Sequence, residues 1–227
     1  MRKLVVASNM FNEIDQLGEW FDFVKEITND IVIVDMGSTD GTIQYCEQRG
    51  AKVIVDPIII NEGYGPARNQ LRQLAKDLFD ADWLLFLDAD ERIDECDFHR
   101  LRFIKDYLID DYDVVAFPRI DWLNKERTGS AKSWLVNPDW QARMTRLNSP
   151  LKYVRRLHEQ LVNFKKIYAF LENPKINHFH RSRTIEKNVQ IGKVCAYLHD
   201  KDIEWGHTYP KHHKEDHFLE LYEKEGL

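Results

Sequence analysis

The sequence predicts an α/β fold with a Rossmann-like, mostly parallel central sheet flanked by helices, followed by a less regular C-terminal part. Three observations predict it. Short runs rich in Val, Ile and Leu recur through residues 1–118, segments of helical period separate them, and the rhythm stops after Pro118. Runs that are apolar nearly throughout belong to parallel strands covered on both faces, because a sheet wetted on one side alternates apolar with polar.

Leu4 to Ser8 forms the first strand. The next segment sets Ile14, Leu17, Phe21, Val24 and Ile27 three or four apart, one face of a helix that packs on the sheet. Asp30 to Asp35 is the second strand. A loop carrying Gly37 leads to a helix starting near Asp40 and Thr42, and Lys52 to Asp56 is the third strand. Proline suits a first helical turn, so a third helix starts near Pro66. Trp83 to Leu87 is the fourth strand, Phe98, Leu101, Ile104 and Leu108 mark the fourth helix, and Asp113 to Pro118 is the fifth strand. Residues 119–180 carry the turn signals Arg127-Thr128-Gly129 and Asn137-Pro138 among aromatic and basic segments, which predicts short strands and loops. A last helix covers Thr184 to Leu198, with Ile185, Val189 and Val194 toward the core, and the His-rich tail is extended or weakly ordered.

A chain of 227 residues, 43% apolar and 31% charged, holds one sizeable core and is read as one globular domain. No run reaches the roughly 20 apolar residues of a bilayer-spanning helix, and Met1-Arg2-Lys3 leads into a strand instead of a signal peptide. Cys46, Cys96 and Cys195 are odd in number and far apart, without CxxC spacing, so neither a disulfide framework nor a zinc site is suggested. The expected location is the cytoplasm, at most peripheral to a membrane surface. The net charge of −6 is uneven: residues 1–97 hold 9 Lys/Arg against 20 Asp/Glu, and residues 98–227 hold 23 against 18. Residues 140–190 hold 11 Lys/Arg and 3 Asp/Glu, a basic stretch read first as a solvated face.

In an open parallel sheet, ligands bind outside the carboxyl ends of the strands. Here those ends are polar: Asn9, Asn12 and Glu13 after the first strand, Asp35 and then Gly37-Ser38-Thr39-Asp40-Gly41-Thr42 after the second, Asp88-Ala89-Asp90-Glu91 after the fourth. The i, i+2 spacing of Asp88 and Asp90 turns both carboxylates to one side of an extended chain. Such a DxD pair invites Mg2+ or Mn2+, which take carboxylate oxygens together with substrate phosphates. Ser38, Thr39 and Asp40 are read as helix-capping residues more than as ligand contacts.

The order Phe11-Asn12-Glu13, Val34-Asp35-Met36-Gly37-Ser38-Thr39-Asp40-Gly41-Thr42, Gly65-Pro66-Ala67-Arg68-Asn69 and Phe86-Leu87-Asp88-Ala89-Asp90-Glu91 resembles family 2 glycosyltransferases of the GT-A fold. The resemblance covers residues 3–118 strongly and a later part, from Trp140-Gln141-Ala142-Arg143 to His180, weakly. It implies a nucleotide-sugar-binding half over residues 1–118, an acceptor-binding half over 119–200 and a C-terminal tail over 201–227. It further implies that Asn9 and Asp35 contact the base, with Glu13 among the donor-binding residues, that Arg68 meets the nucleoside or diphosphate, that Asp88 approaches the ribose, and that Asp90 holds Mn2+ or Mg2+. The donor expected by analogy is a UDP- or dTDP-sugar, with a GDP-sugar as the alternative. The acceptor is a hydroxyl on a glycan, a lipid-linked sugar or another molecule, and the basic stretch admits an acceptor bearing phosphate. Gln141-Ala142-Arg143-Met144-Thr145-Arg146 lacks the tryptophan of the family's Gln-x-x-Arg-Trp pattern and no membrane segment is read, so processive synthesis is disfavoured, and the resemblance implies a single transfer per encounter with inversion.

Transfer to a hydroxyl requires a general base. Carboxylates are scarce in the second half, and Glu159 within Leu157-His158-Glu159-Gln160-Leu161 is the first choice, with Asp139 as its rival. The structural alternative for Glu159 is a salt bridge to Arg155 or Arg156. His178 and His180 would share one face of a strand, and a late histidine often completes the metal shell in the family. His207, His212, His213 and His217 receive no catalytic role. Two other functions compete: a catalytically silent sugar-nucleotide or glycan-binding domain, and a haloacid-dehalogenase-like phosphatase, whose DxD strand usually comes first in the chain.

Overall fold

Alternate residues of the central strands enter two separate cores, one on each face of the sheet. In β1 (Leu4–Met10), Leu4 and Val6 join one cluster and Val5 and Ala7 the other. β2 (Ile31–Asp35) divides Ile31 and Ile33 from Val32 and Val34, and β4 (Trp83–Phe86) divides Trp83 and Leu85 from Leu84 and Phe86. One face is covered by α1 (Ile14–Ile27), through Leu17, Trp20, Phe21 and Val24, and by α5 (Phe98–Tyr107), through Phe98, Leu101 and Ile104. The other is covered by α4 (Tyr64–Phe79), through Ala67, Leu71 and Ala75. The first cluster also takes Cys46 of α2 (Thr42–Gln48), and the second takes Ile58 and Ile59 of α3 (Ile58–Glu62). This computed structural model describes residues 1–130, 139–179 and 183–204.

The remaining elements are β3 (Lys52–Val55), β5 (Glu91–Arg92), a 3-10 turn at Glu95–Asp97, β6 (Tyr112–Asp121), β7 (Asp139–Arg146), β8 (Lys152–Val154), β9 (Gln160–Val162), β10 (Lys166–Ala169), β11 (Ile176–His178) and α6 (Ile185–Glu204). Among the described residues nine strands form the main sheet, in the order β3-β2-β1-β4-β7-β6-β11-β5, with β10 paired to β6. The pairs β3-β2, β2-β1 and β1-β4 are parallel, so the ends of β1, β2 and β4 open on the same edge. β7 runs antiparallel between β4 and β6. The fifth predicted strand is therefore parallel to β4 but separated from it by β7 in the sheet.

Several expectations need correcting. The helix expected near Pro66 begins at Tyr64, and α3 precedes it where no helix was predicted. The last helix runs through residue 200 to Glu204, and Ile185, expected in the core, is exposed, while Leu198 is buried. Asn137-Pro138, His180 and the tail histidines lie outside the described residues. The basic stretch is not all surface: Arg143 and Arg146 are buried, Arg146 donating to the carbonyls of Leu108, Ile109 and Tyr112 and lying over the Trp83 ring. Among the described residues no helix is long and apolar enough to cross a membrane.

The first N–H groups of a helix lack partners within it. At α4 they are met by the turn that follows β8: Tyr64 N donates to Arg156 O at 2.7 Å and Gly65 N to Arg155 O at 3.1 Å. The approach is close enough to exclude side chains. A Cβ on Gly65 would lie 2.4 Å from Arg155 O, and one on Gly63 2.4 Å from Arg156 Cα. Gly65→Ala is expected to cost about 2–3 kcal/mol, as overpacking against backbone does. A urea titration checks this, and an unchanged midpoint at unchanged m-value would show that the contact yields freely. The turn matters because Glu159 follows it.

Candidate active site

Three strand ends and two later segments converge on the open edge. At the end of β1, Asn9 has a buried Oδ1 with no hydrogen-bond partner among the described residues. Its strand neighbour is Val34, and Met10 pairs with Asp35. Asp35 is fully buried, and its Oδ1 accepts from Gly37 N at 2.8 Å and Ser38 N at 2.7 Å, while Oδ2 accepts from Ser38 Oγ at 2.7 Å. The loop after β2 is thus shaped by Asp35. Ser38, Thr39 and Asp40 serve structure: Ser38 Oγ accepts from Asn12 N, Asn12 Oδ1 accepts from Thr39 N, and the two oxygens of Asp40 accept from Thr42 N and Ile14 N at the starts of α2 and α1.

The turn after β4 presents Asp88 and Asp90. Asp88 is half open, and Arg143 Nη2 lies 3.1 Å from its Oδ2. Burial would raise its pKa, but Arg143 and then Arg68 outweigh burial and hold the carboxyl below its ordinary value. Asp90 is almost fully buried, and its Oδ2 lies 3.3 Å from both His178 Nε2 and Arg183 Nη2. Phe179 N donates to Asp90 O at 2.9 Å, which ties the end of β11 to this turn. The other ring nitrogen of His178 sits 2.5 Å from Asp121 Oδ1. Burial would lower the imidazole's pKa, yet Asp90 and Asp121 together raise it to about 9.

Arg68 projects from α4 and pairs through Nε with Glu159, its guanidinium 5.0 Å from the centre of the Phe86 ring. The partner of Glu159 is therefore Arg68 and not the neighbouring Arg155 or Arg156. Burial opposes ionisation of Glu159, but Arg68 prevails and lowers its pKa below the ordinary glutamate value. Tyr64 is partly buried beside Asp88, Glu159 and Arg68, and desolvation pushes its phenol well up. Asp139, the rival base, accepts from Arg119 Nη2 at 2.7 Å and from Gln141 Nε2 at 2.8 Å.

Glu13 does not reach outward. Arg183 Nη2 donates to its Oε1 at 2.9 Å, and Lys187 Nζ lies 3.4 Å from the same oxygen while donating to the carbonyls of Phe11 and Asn12. Burial raises the pKa of Glu13, and the two cations pull against it. Arg183 and Lys187 thus join the start of α6 to the loop after β1 and to Asp90.

Whether these residues suit a divalent cation can be judged from their chemistry. Asp90 and His178 face each other with an oxygen and a nitrogen ligand, and Asp121 holds the second ring nitrogen, as carboxylates do for metal-binding imidazoles. Asp88 adds a second carboxylate two residues away. Among the described residues no group of three or more His, Cys, Asp or Glu is clustered as a metal cage, and His180 falls outside them. The donor set fits a cation that takes few protein ligands and completes its shell from phosphates.

Sequence reasoning missed Arg119, Asp121, Arg183, Lys187 and Tyr64, and cited Glu91 and Arg143 only within motifs, without a role of their own. Glu91 had a signal, its place directly after the DxD pair.

A mostly parallel sheet flanked by helices, with polar residues at the open ends of β1 and β2 and an acidic turn after β4, is the architecture of the GT-A glycosyltransferases. Residues 6–188 match glycosyl transferase family 2, and the chain belongs to that family. It is 26% identical over 208 residues to the prophage-derived glycosyltransferase SunS of Bacillus subtilis, covering 86% of this chain and 46% of SunS. An uncharacterized glycosyltransferase of Rickettsia felis is 38% identical over 82 residues, 36% of this chain and 26% of that protein. The crystal structure of S. aureus TarS superposes with a TM-score of 0.52 at 16% identity, covering 86% of this chain and 39% of TarS, a likeness of fold. The chain spans less than half the length of these relatives. Family membership leaves the phosphatase reading without support.

Proposed function

We propose that the chain transfers a sugar, with inversion, from a nucleoside-diphosphate sugar to an acceptor hydroxyl, assisted by Mn2+ or Mg2+. The observation that carries this reading is the convergence of Asp88, Asp90 and His178 with the Arg68–Glu159 pair at the open ends of β1, β2 and β4. Asn9, through its unpartnered Oδ1, and the Asp35 loop receive the base, a uracil or thymine in preference to guanine. Asp88 meets the ribose, and Arg68 meets the nucleoside or diphosphate. Asp90 and His178, with Asp88, hold the cation, which supplies Lewis acidity toward the departing diphosphate when bound. Glu159 takes the acceptor's proton on its carboxylate.

A thermal-shift screen of UDP-, dTDP- and GDP-sugars with and without Mn2+ tests the donor assignment. A ligand at a hundredfold excess over its Kd adds about 2.7 kcal/mol of stability. For a chain of this size that is a Tm rise of roughly 5–10 °C. A UDP- or dTDP-sugar is expected to give it in the presence of Mn2+. No shift with any nucleotide sugar would overturn the proposal. A shift without release of UDP or dTDP in the presence of candidate acceptors and in prolonged incubation would favour the silent binding domain.

A further inference from the structure

Behind Asp88 lies a buried charge pair that the proposed chemistry does not use. Glu91 is fully buried, and its Oε1 accepts from Arg143 Nη2 at 2.5 Å. Its Oε2 accepts from Asp88 N at 3.1 Å, and Glu91 N donates to Asp88 O at 2.9 Å. The same Nη2 of Arg143 reaches Asp88 Oδ2 at 3.1 Å. Glu91 therefore holds Asp88 by two bonds to its main chain and, through Arg143, by its side chain. Only one member of the trio faces out: the side chain of Asp88 is 38% exposed, those of Arg143 and Glu91 are 4% and 0%. Arg119, 3.9 Å from Glu91, is the second cation beside it.

A buried ion pair is weak evidence of stabilisation, since desolvation offsets most of the attraction. What this pair does achieve is directional. Arg143 comes from β7, the strand packed antiparallel against β4, so its guanidinium is fixed relative to the strand that ends in the DxD turn. A fixed guanidinium carrying one buried and one exposed carboxylate presents the exposed one in a single orientation.

We infer that Arg143 is a positioning residue of the transfer reaction: it orients the Asp88 carboxylate toward the donor, and Glu91 is the buried acid that holds Arg143 in place. The inference rests on the reading that Asp88 meets the donor, and the experiment separates the two.

Removing Arg143 alone strands Glu91 in the core, so the informative variant removes both charges. Glu91→Met with Arg143→Met is expected to fold with a urea midpoint near wild type, as apolar replacements of buried pairs often do. Its Kd for UDP in the presence of Mn2+, measured by calorimetry, is expected to rise at least tenfold. Adding Asp88→Asn in that background is expected to add less than a further twofold, whereas Asp88→Asn in the wild type costs about tenfold. Non-additivity of this kind reports that the Glu91–Arg143 pair acts through Asp88, and Arg143→Lys, which leaves the Glu91 bond to Asp88 N in place, isolates the part of Arg143. Arg143→Lys keeps a cation beside Glu91 but reaches only one carboxylate, and is expected to keep the urea midpoint while raising Kd and donor KM with little change in kcat. Wild-type affinity for UDP in both the Met double variant and Arg143→Lys, or full additivity with Asp88→Asn, would overturn the inference and leave the donor reading standing. Absence of UDP binding by the wild type would overturn both.

Discussion

Replacing Asp90 by asparagine is expected to lower sugar transfer by at least ~10²–10³-fold, the scale on which removal of one preorganised electrostatic group acts, and to abolish the dependence of UDP binding on Mn2+. Asn keeps the size of the side chain and the main-chain carbonyl that accepts from Phe179 N. It removes the charge to which His178 Nε2 and Arg183 Nη2 are both drawn at 3.3 Å. Arg183 also pairs with Glu13, so it is not left stranded in the variant. Turnover should therefore fall much more than folding stability. Initial rates with the donor identified by thermal shift, alongside a urea titration, separate the two effects. Turnover within threefold of wild type would show that Asp90 has no part in the chemistry.

The half of the fold that sequence reasoning reached is the half whose strands are covered on both faces. Leu4 to Ala7 and Trp83 to Leu87 are apolar throughout, and few other structures require that in so short a run. The helices between them show their buried face directly, as Leu17, Phe21 and Val24 do. β7 hides because it violates this rule. Asp139–Arg146 holds two buried arginines, one satisfied by carboxylates on the DxD turn and one by carbonyls near α5, and no local pattern reveals distant acceptors. Its insertion between β4 and β6 is likewise a matter of tertiary pairing. α3 hides for another reason: Ile58, Ile59 and Ile60 in succession have no helical period, and only two of them are buried.

The site divides in the same way. Asp35, Asp88 and Asp90 stood out as candidates because Asp35 ends a buried strand and the other two follow one, where an open sheet places its ligands. Their partners were not. Arg68 and Glu159 each stood out, but nothing local says that a residue of α4 and one after β8 form a single ion pair. Arg183 and Lys187 are farther still from Glu13 along the chain, and the contact exists only because α6 begins beside the loop that follows β1.

Glu159→Gln is expected to lower kcat by ~10²–10⁴-fold, the usual contribution of a general base, with a small effect on donor KM. Gln still accepts the Arg68 Nε–H but leaves the guanidinium unneutralised, at a cost of ~3 kcal/mol, toward the low end for breaking a buried pair. The pH dependence has a definite sign. Arg68 lowers the pKa of Glu159 in the folded protein, so the pair's stabilisation is present above the unfolded glutamate value near 4.5 and is lost as pH falls through the lower folded value. An ion-paired carboxylate is also a poor proton acceptor. In the proposed reaction the donor diphosphate offers Arg68 another anion, and Glu159 becomes the stronger base once Arg68 turns to it. The acid limb of kcat, which reports the donor complex, should then lie at higher pH than that of kcat/KM, which reports the free enzyme. Coincident limbs would show that Arg68 stays on Glu159 throughout. Loss of kcat in Asp139→Asn with undiminished kcat in Glu159→Gln would move the base to Asp139, whose carboxylate Arg119 already holds at the edge of the same site.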